Sequence, residues 1–363
     1  MKNFYQDTLK SKVLSNYELP LVIALALLSG FIAKIPSFFG LDGDWFFPRN
    51  ISFIVLPAMA IYFIAKSGLE WRRAVGVITL ILLSALYINL LPGDDTRDTL
   101  VLSFIHMPLF LWSLTGYAFT GGNVKDGQQV TGFLRFNGDL AVIGVVIVIA
   151  GGILSFMTIG LFELIDMDIE DFYFGNIAIW GLAAVPVAGA YIVLNNPLLV
   201  KSVSPLIAKI FTPLVLVMLL VYLAAIVWTG KDPYNDREFL LIFNLLLVGV
   251  MALILFSVAE SPGRVNTFLL LVLSVVTIIV NAVALSAIVF RISEWGISPN
   301  RVAVLGSNLL VLINLLLVTY RLFLAAKNPD QLSGAHLAIA RFMPYYAIWT
   351  GVVTFLFPVI FGD

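Results

Sequence analysis

The stretch 140-LAVIGVVIVIAGGILSFMTIGLFEL-164 decides the class of this chain, because Glu163 is its only charged side chain. About 20 apolar residues in helical form cross the roughly 30 Å hydrocarbon layer of a bilayer. A second run of the same kind, 267-TFLLLVLSVVTIIVNAVALSAIVF-290, contains no charge at all. Leu21 to Ala33, Val75 to Leu91 and Phe211 to Trp228 approach or reach this length. None of these segments alternates apolar with polar residues, as the strands of a membrane barrel do. Helices are then the remaining way to satisfy the backbone in lipid.

Composition agrees with this reading. Hydrophobic residues make up 60% of the 363 residues, charged residues only 12%, and the mean hydropathy is +1.00. A soluble domain carries about a quarter charged residues, so the solvent of this protein is largely lipid. The sequence predicts an all-α polytopic transmembrane bundle of about 11 spans (10–12), forming a single membrane-embedded domain over 1–363. The expected spans are 19–39, 50–65, 74–91, 99–119, 138–162, 172–194, 210–228, 239–258, 265–290, 302–325 and 343–361. The first is expected to be retained, because Lys34, Ile35, Pro36 and Ser37 follow it where a signal peptide would have a small-residue cleavage site.

Under that count, 14 of the 21 basic residues fall on the N-terminal side of the membrane and 7 on the other. The excess places the N-terminus in the cytoplasm. No connection is long enough to form a soluble domain. Two linkers, Leu198 to Ile210 and Gln331 to Phe342, read either as amphipathic helices on the membrane surface or as extensions of neighbouring spans.

Against this apolar background the polar exceptions carry the information. Lys34 and Arg321 sit near span ends and are expected to snorkel to the interface. His106 lies about seven residues inside the fourth span, where an imidazole either relays protons or holds a neighbouring helix by one hydrogen bond. Asp139 follows Arg135 by one helical turn, which allows a local ion pair or a second relay group. Asn244, Asn281, Asn308 and Asn314 lie deep in apolar runs, where an amide must find partners. They predict a polar seam that serves as glue between helices or lines a path.

Pro57, Pro108, Pro186, Pro213, Pro344 and Pro358 kink their helices and free carbonyls, which neighbours re-satisfy or which line a pathway. Gly181, Ala183, Ala184, Ala188, Gly189 and Ala190 give the sixth span a close-packing surface. Two acidic groups lie on the expected outer side. Asp42 and Asp44 form one, and Glu163, Asp166, Asp168, Glu170 and Asp171 form the other, in which Glu163, Asp166 and Glu170 would share a face if the fifth helix continued outward.

The most distinctive segment runs from Arg291 through Glu294, Trp295, Gly296, Pro299 and Asn300 to Arg301. Arg291 and Glu294 are spaced to pair on one turn, Gly296 to stop the helix, and Asn300 to cap the next one after Pro299. This turn is read as a structural clasp, or as a place where Arg291, Arg301 and Arg237 converge on an anionic headgroup or solute. The pattern, within a region spanning 210–325, resembles a family of polytopic inner-membrane proteins frequent in Bacteroidetes and known only as a domain of unknown function. Where this chain has Trp295 the family often has tyrosine. The resemblance implies a bacterial inner-membrane location and no reaction.

Together these features point to a permease-like protein for a small solute or lipid. An integral-membrane enzyme acting on lipids or lipid-linked glycans would instead gather Asp42, Asp44, Arg291 and Arg301 in one outer cavity. An envelope assembly or sensor module would be a sealed bundle. The expected partners are the bilayer and a small solute or lipid headgroup. A net charge of −1 with dispersed basic residues argues against nucleic acid. No phosphate-loop or cofactor motif is present, and the absence of cysteine removes thiolate chemistry.

Overall fold

The structure, a computed structural model, describes residues 17–91, 97–163, 167–196, 237–259 and 263–362, with short pieces between 212 and 224. Among these residues the regular structure is helical throughout, without a strand. In chain order the helices are α1 (Glu18–Phe39), α2 (Gly43–Ser67), α3 (Trp71–Leu90), α4 (Asp98–Phe119), α5 (Gly127–Glu163) and α6 (Glu170–Asn195). They continue with α7 (Arg237–Ala259), α8 (Arg264–Trp295), α9 (Pro299–Lys327) and α10 (Pro329–Ile360). Nine of them, all but α7, are long and apolar enough to cross a membrane, counted over the described residues.

The short apolar helix Thr212–Val221 and α7 occupy the regions where the seventh and eighth spans are expected. The linker at 198–210 lies outside the described residues. The linker at 331–342 belongs to α10, so the chain there extends a span and is not a separate surface helix.

Helix ends follow local chemistry. Asp42 starts α2 by accepting the Asp44 N–H at 2.9 Å. Its carboxylate thus supplies an acceptor that the free first turn of a helix lacks. The second span therefore runs from Gly43 to Ser67, longer than the expected 50–65. Helix α1 closes at Gly40, whose φ of 63° lets its N–H reach the Pro36 carbonyl.

Helix α10 widens to a π turn at Val352–Leu356, just before Pro358. Proline cannot donate to Thr354 O, one turn back. The Ser103 hydroxyl lies 2.9 Å from that carbonyl and 3.0 Å from Thr99 O. Here the kink is sealed by a neighbouring hydroxyl.

The chain forms two compact units. The first comprises Met1–Asp95, Met107–Asn123 and Phe136–Lys201, and the second Thr96–His106, Val124–Arg135 and Ser202–Asp363. In the first, α1 packs on α6 and α2, and α2 also meets α3. Lipid tails are as apolar as leucine, so association in a bilayer relies on close fit and polar ties. Both are present. Gly30 of α1 lies directly against the Trp180 ring, and a Cβ at Gly189 would come within 2.8 Å of Leu140. Phe63, Phe119 and Phe136 form a buried aromatic knot with centroids 5.1 to 5.3 Å apart.

Helices α2 and α3 are tied by a reciprocal amide pair, Asn50 and Asn89, each donating to the other at 2.8 Å. In the second unit α8 and α9 form an antiparallel hairpin, and α9 also packs on α10. Gly306 there lies under the Trp349 ring. Leu102, Ala303, Val353 and Phe357 form a buried cluster beside it.

The outward surface is oily. Val145, Ile149, Ile153 and Phe156 of α5 are all exposed, Phe156 at 80%. In water so large an apolar face would drive aggregation. In hydrocarbon it is simply solvated, and the chain is a multi-pass membrane protein by this criterion.

Candidate functional site

The distinctive segment identified in the sequence forms the rim of a cavity in the second unit. Helix α8 ends at Gly296, which has a φ of 77° and donates its N–H to Ile292 O. The conformation suits glycine because a Cβ at positive φ is strained. Helix α9 then begins at Pro299, with Ser298 as its cap, accepting the Arg301 N–H at 3.4 Å. The cap is thus Ser298 and not the expected Asn300. Proline lacks an N–H and fits the first helical position, which moves the cap one residue before it.

Arg301 folds back over this turn. Its Nη1 donates to the carbonyls of Trp295 at 2.8 Å and Gly296 at 2.6 Å, neutralising the negative end of α8. Arg291 and Arg301 both lie over the Trp295 indole, with guanidinium carbons 5.2 and 5.8 Å from its centroid. Such contacts each contribute about 0.5–1 kcal/mol at an exposed site. Trp295 therefore contacts both cations. Glu294 is exposed and is not among the residues lining the cavity.

The cavity measures about 640 Å³. Its polar lining consists of Arg291, Arg301, Ser298, Asn300, Asp98 and Asn244, and Val101, Leu102, Ile105, Ile288 and Val304 close it with apolar surface. The first turns of α4 and α9 both face it, through Asp98 and through Asn300 and Arg301. Helix N-termini present unpaired N–H groups and favour anions. Two guanidinium groups and one carboxylate, that of Asp98, are the charged groups of the cavity lining.

One edge of the cavity reaches Asn244, which accepts a 2.6 Å hydrogen bond from Asn308. The structure thus brings together Arg291, Arg301 and, through Asn244, Asn308. It leaves Asn281 elsewhere in α8, fully buried, with neither amide atom hydrogen-bonded. Asn314 donates to the Tyr346 hydroxyl at 3.0 Å. Of the expected seam, therefore, two ties between helices are formed. The side chain of Arg237 lies outside the described residues.

None of the other sequence candidates lines this cavity. His106 is buried, and its Nδ1 lies 2.8 Å from Leu102 O in the preceding turn, so the proton sits on that nitrogen. Asp139 is buried within α5. Asp168 caps the turn before α6 through the Glu170 N–H, and Glu163 is the last described residue of α5. Asp166 lies outside the described residues. Among the described residues no three His, Cys, Asp or Glu side chains are arranged to hold a metal ion.

A polar cluster in the first unit was not singled out by the sequence. Glu18 Oε1 accepts from Lys66 Nζ at 2.5 Å, Tyr62 Oη at 2.7 Å and Asn195 Nδ2 at 3.0 Å. Lys66 Nζ also lies 3.3 Å from Asn195 Oδ1. Glu18, Lys66 and Tyr62 are buried, and together with Asn195 they join the ends of α1, α2 and α6. The i+4 spacing of Tyr62 and Lys66 beside a run end was the available signal.

Lys34 likewise departs from the expected snorkel. It is 6% exposed and donates to Gly175 O at 2.7 Å and Asn176 Oδ1 at 3.2 Å. The π turn Phe174–Ala178 has loosened the α6 carbonyls there, and an ammonium group takes one. No protein-family model matches the chain, and no curated protein or solved structure is similar to it.

Proposed function

We propose that the chain is a permease-like inner-membrane protein of bacterial type, with eleven spans and a cytoplasmic N-terminus, that binds a carboxylate or phosphate group in the Arg291–Arg301 cavity. The observation that carries this reading is the cavity itself. Two guanidinium groups, both in contact with one indole, line a space that continues to the Asn244–Asn308 tie between spans. Arginine binds planar oxyanions through several parallel donors, so the site selects carboxylate and phosphate over neutral solutes. The group belongs either to a soluble anion or to a lipid headgroup.

Two measurements test the reading. In neutral phosphatidylcholine nanodiscs the full chain binds inorganic phosphate, or dispersed phosphatidylglycerol, and the arm that binds identifies the source. Arg291→Gln weakens that binding about tenfold, the loss of one charge-assisted contact worth roughly 1.4 kcal/mol. Arg301→Lys, which keeps charge and loses the planar fork, weakens it less. Binding of neither probe, or binding indifferent to Arg291→Gln, overturns the assignment.

Topology is open to a direct check because the chain has no cysteine. Ser293→Cys is expected to react with an impermeant maleimide in intact cells, and Lys125→Cys only after the membrane is opened. The reverse pattern would invert the orientation.

A further inference from the structure

We infer that the first unit carries a second binding site, a groove for a single-chain amphiphilic cation, unrelated to the anion cavity of the second unit. The groove lies between the outer half of α5 and the first half of α6 and encloses about 710 Å³. That volume falls within the roughly 300–1,000 Å³ of small-ligand sites. It follows α5 from Ile147 to Glu163, about 24 Å at 1.5 Å per residue.

Gly151, Gly152 and Gly181 all line the groove, and a Cβ built on any of them would meet no atom within 4 Å. Its walls are Ile147, Ile159, Leu182 and Val185, and the helices are pinned across it by the Tyr173–Ser155 hydrogen bond of 3.2 Å. A slot this long and apolar suits one hydrocarbon chain.

The charge at one end of the slot selects the head of the occupant. Glu163 closes α5 and Glu170 opens α6, and both exposed carboxylates line the groove at the membrane–water end of their spans. Tyr173 and Phe174 also line the groove, their rings in edge contact with each other at 6.1 Å. Among the described lining residues none is basic. A phospholipid would bring its phosphate against the two carboxylates, and a neutral chain would leave them unused. An ammonium group on a single chain satisfies both ends.

The test uses the full chain in phosphatidylcholine nanodiscs with tetradecyltrimethylammonium as probe and empty nanodiscs subtracted. One saturable site per chain is expected. Binding weakens at least tenfold in Glu163→Gln/Glu170→Gln and falls when ionic strength is raised, because both carboxylates are solvent-exposed and screened. Gly152→Leu/Gly181→Leu, which fills the slot, abolishes the saturable component. Equal saturable binding of tetradecyl sulfate, or affinity unchanged in the glutamine variants, overturns the proposal. Both glutamates are on the surface, so the glutamine variants decide the matter even if the leucine variant fails to fold. A signal that only partitions without saturating also overturns it.

Discussion

Lys66→Met is expected to destabilise the protein by about 3 kcal/mol, measured as the free energy of unfolding by SDS titration in mixed micelles. The substitution keeps most of the apolar stem and removes the ammonium group that contacts Glu18 at 2.5 Å. The carboxylate then remains buried with only Tyr62 and Asn195 donating to it. Removing one partner of a buried pair costs about 3–5 kcal/mol, most of it the penalty of the charge left behind. The lower figure applies because the cluster sits at helix ends, where water is near.

The same reasoning predicts the sign of a rescue. Adding Glu18→Gln to Lys66→Met removes the stranded charge while its amide oxygen still accepts from Tyr62 and Asn195. The double variant is therefore expected to be more stable than Lys66→Met alone, a non-additivity that a double-mutant cycle reads directly. If both variants unfold with the wild type, the cluster adds nothing to stability. Nothing in this prediction depends on the anion cavity.

Gly306→Val is the second large effect. A Cβ at this position would overlap the Trp349 ring, and the ring is not free to swing, because its Nε1 donates to Ser307 Oγ at 3.0 Å. Either α9 and α10 move apart or the indole leaves its rotamer and its hydrogen bond. Overpacking of this kind costs about 1–3 kcal/mol, and in lipid no hydrophobic drive between helices compensates for the lost fit.

Gly76→Ala is the matched control, since a Cβ at Gly76 meets nothing within 4 Å. It should leave stability unchanged or raise it by up to about 1 kcal/mol through helix propensity. Gly306→Val with wild-type stability would show that the α9–α10 contact is loose. Gly30→Val, against Trp180, is expected to behave like Gly306→Val in the first unit.

The residues that the sequence made visible are those whose chemistry is local. Gly296 stops α8 because positive φ belongs to glycine, and the neighbouring proline marks the start of α9. The arginines around Trp295 were legible because charge beside an apolar run needs a reason. The partner of each was not legible. Arg301 turned out to neutralise carbonyls at the end of α8, while Glu294 stayed in solvent.

Glu18, Lys66 and Lys34 were hidden for the opposite reason. Each stands at a span end, where a charge can reach water at little cost, and in sequence it resembles an ordinary interfacial residue. Burial depends on which helix lies opposite. Asn195 is 177 residues from Glu18, and Gly175 is 141 from Lys34.

The sequence by itself determined the solvent and the secondary structure of this protein, because the cost of an unpaired backbone in hydrocarbon is set residue by residue and allows long apolar runs one solution. It also marked where α8 ends and α9 begins, at Gly296 and Pro299, through φ preferences acting over a few residues. Tertiary structure alone decided which polar groups meet. In lipid every helix face is equally content with its surroundings, so apolar pattern does not choose neighbours. That choice fell to glycines under tryptophans, to amide pairs and to buried charges.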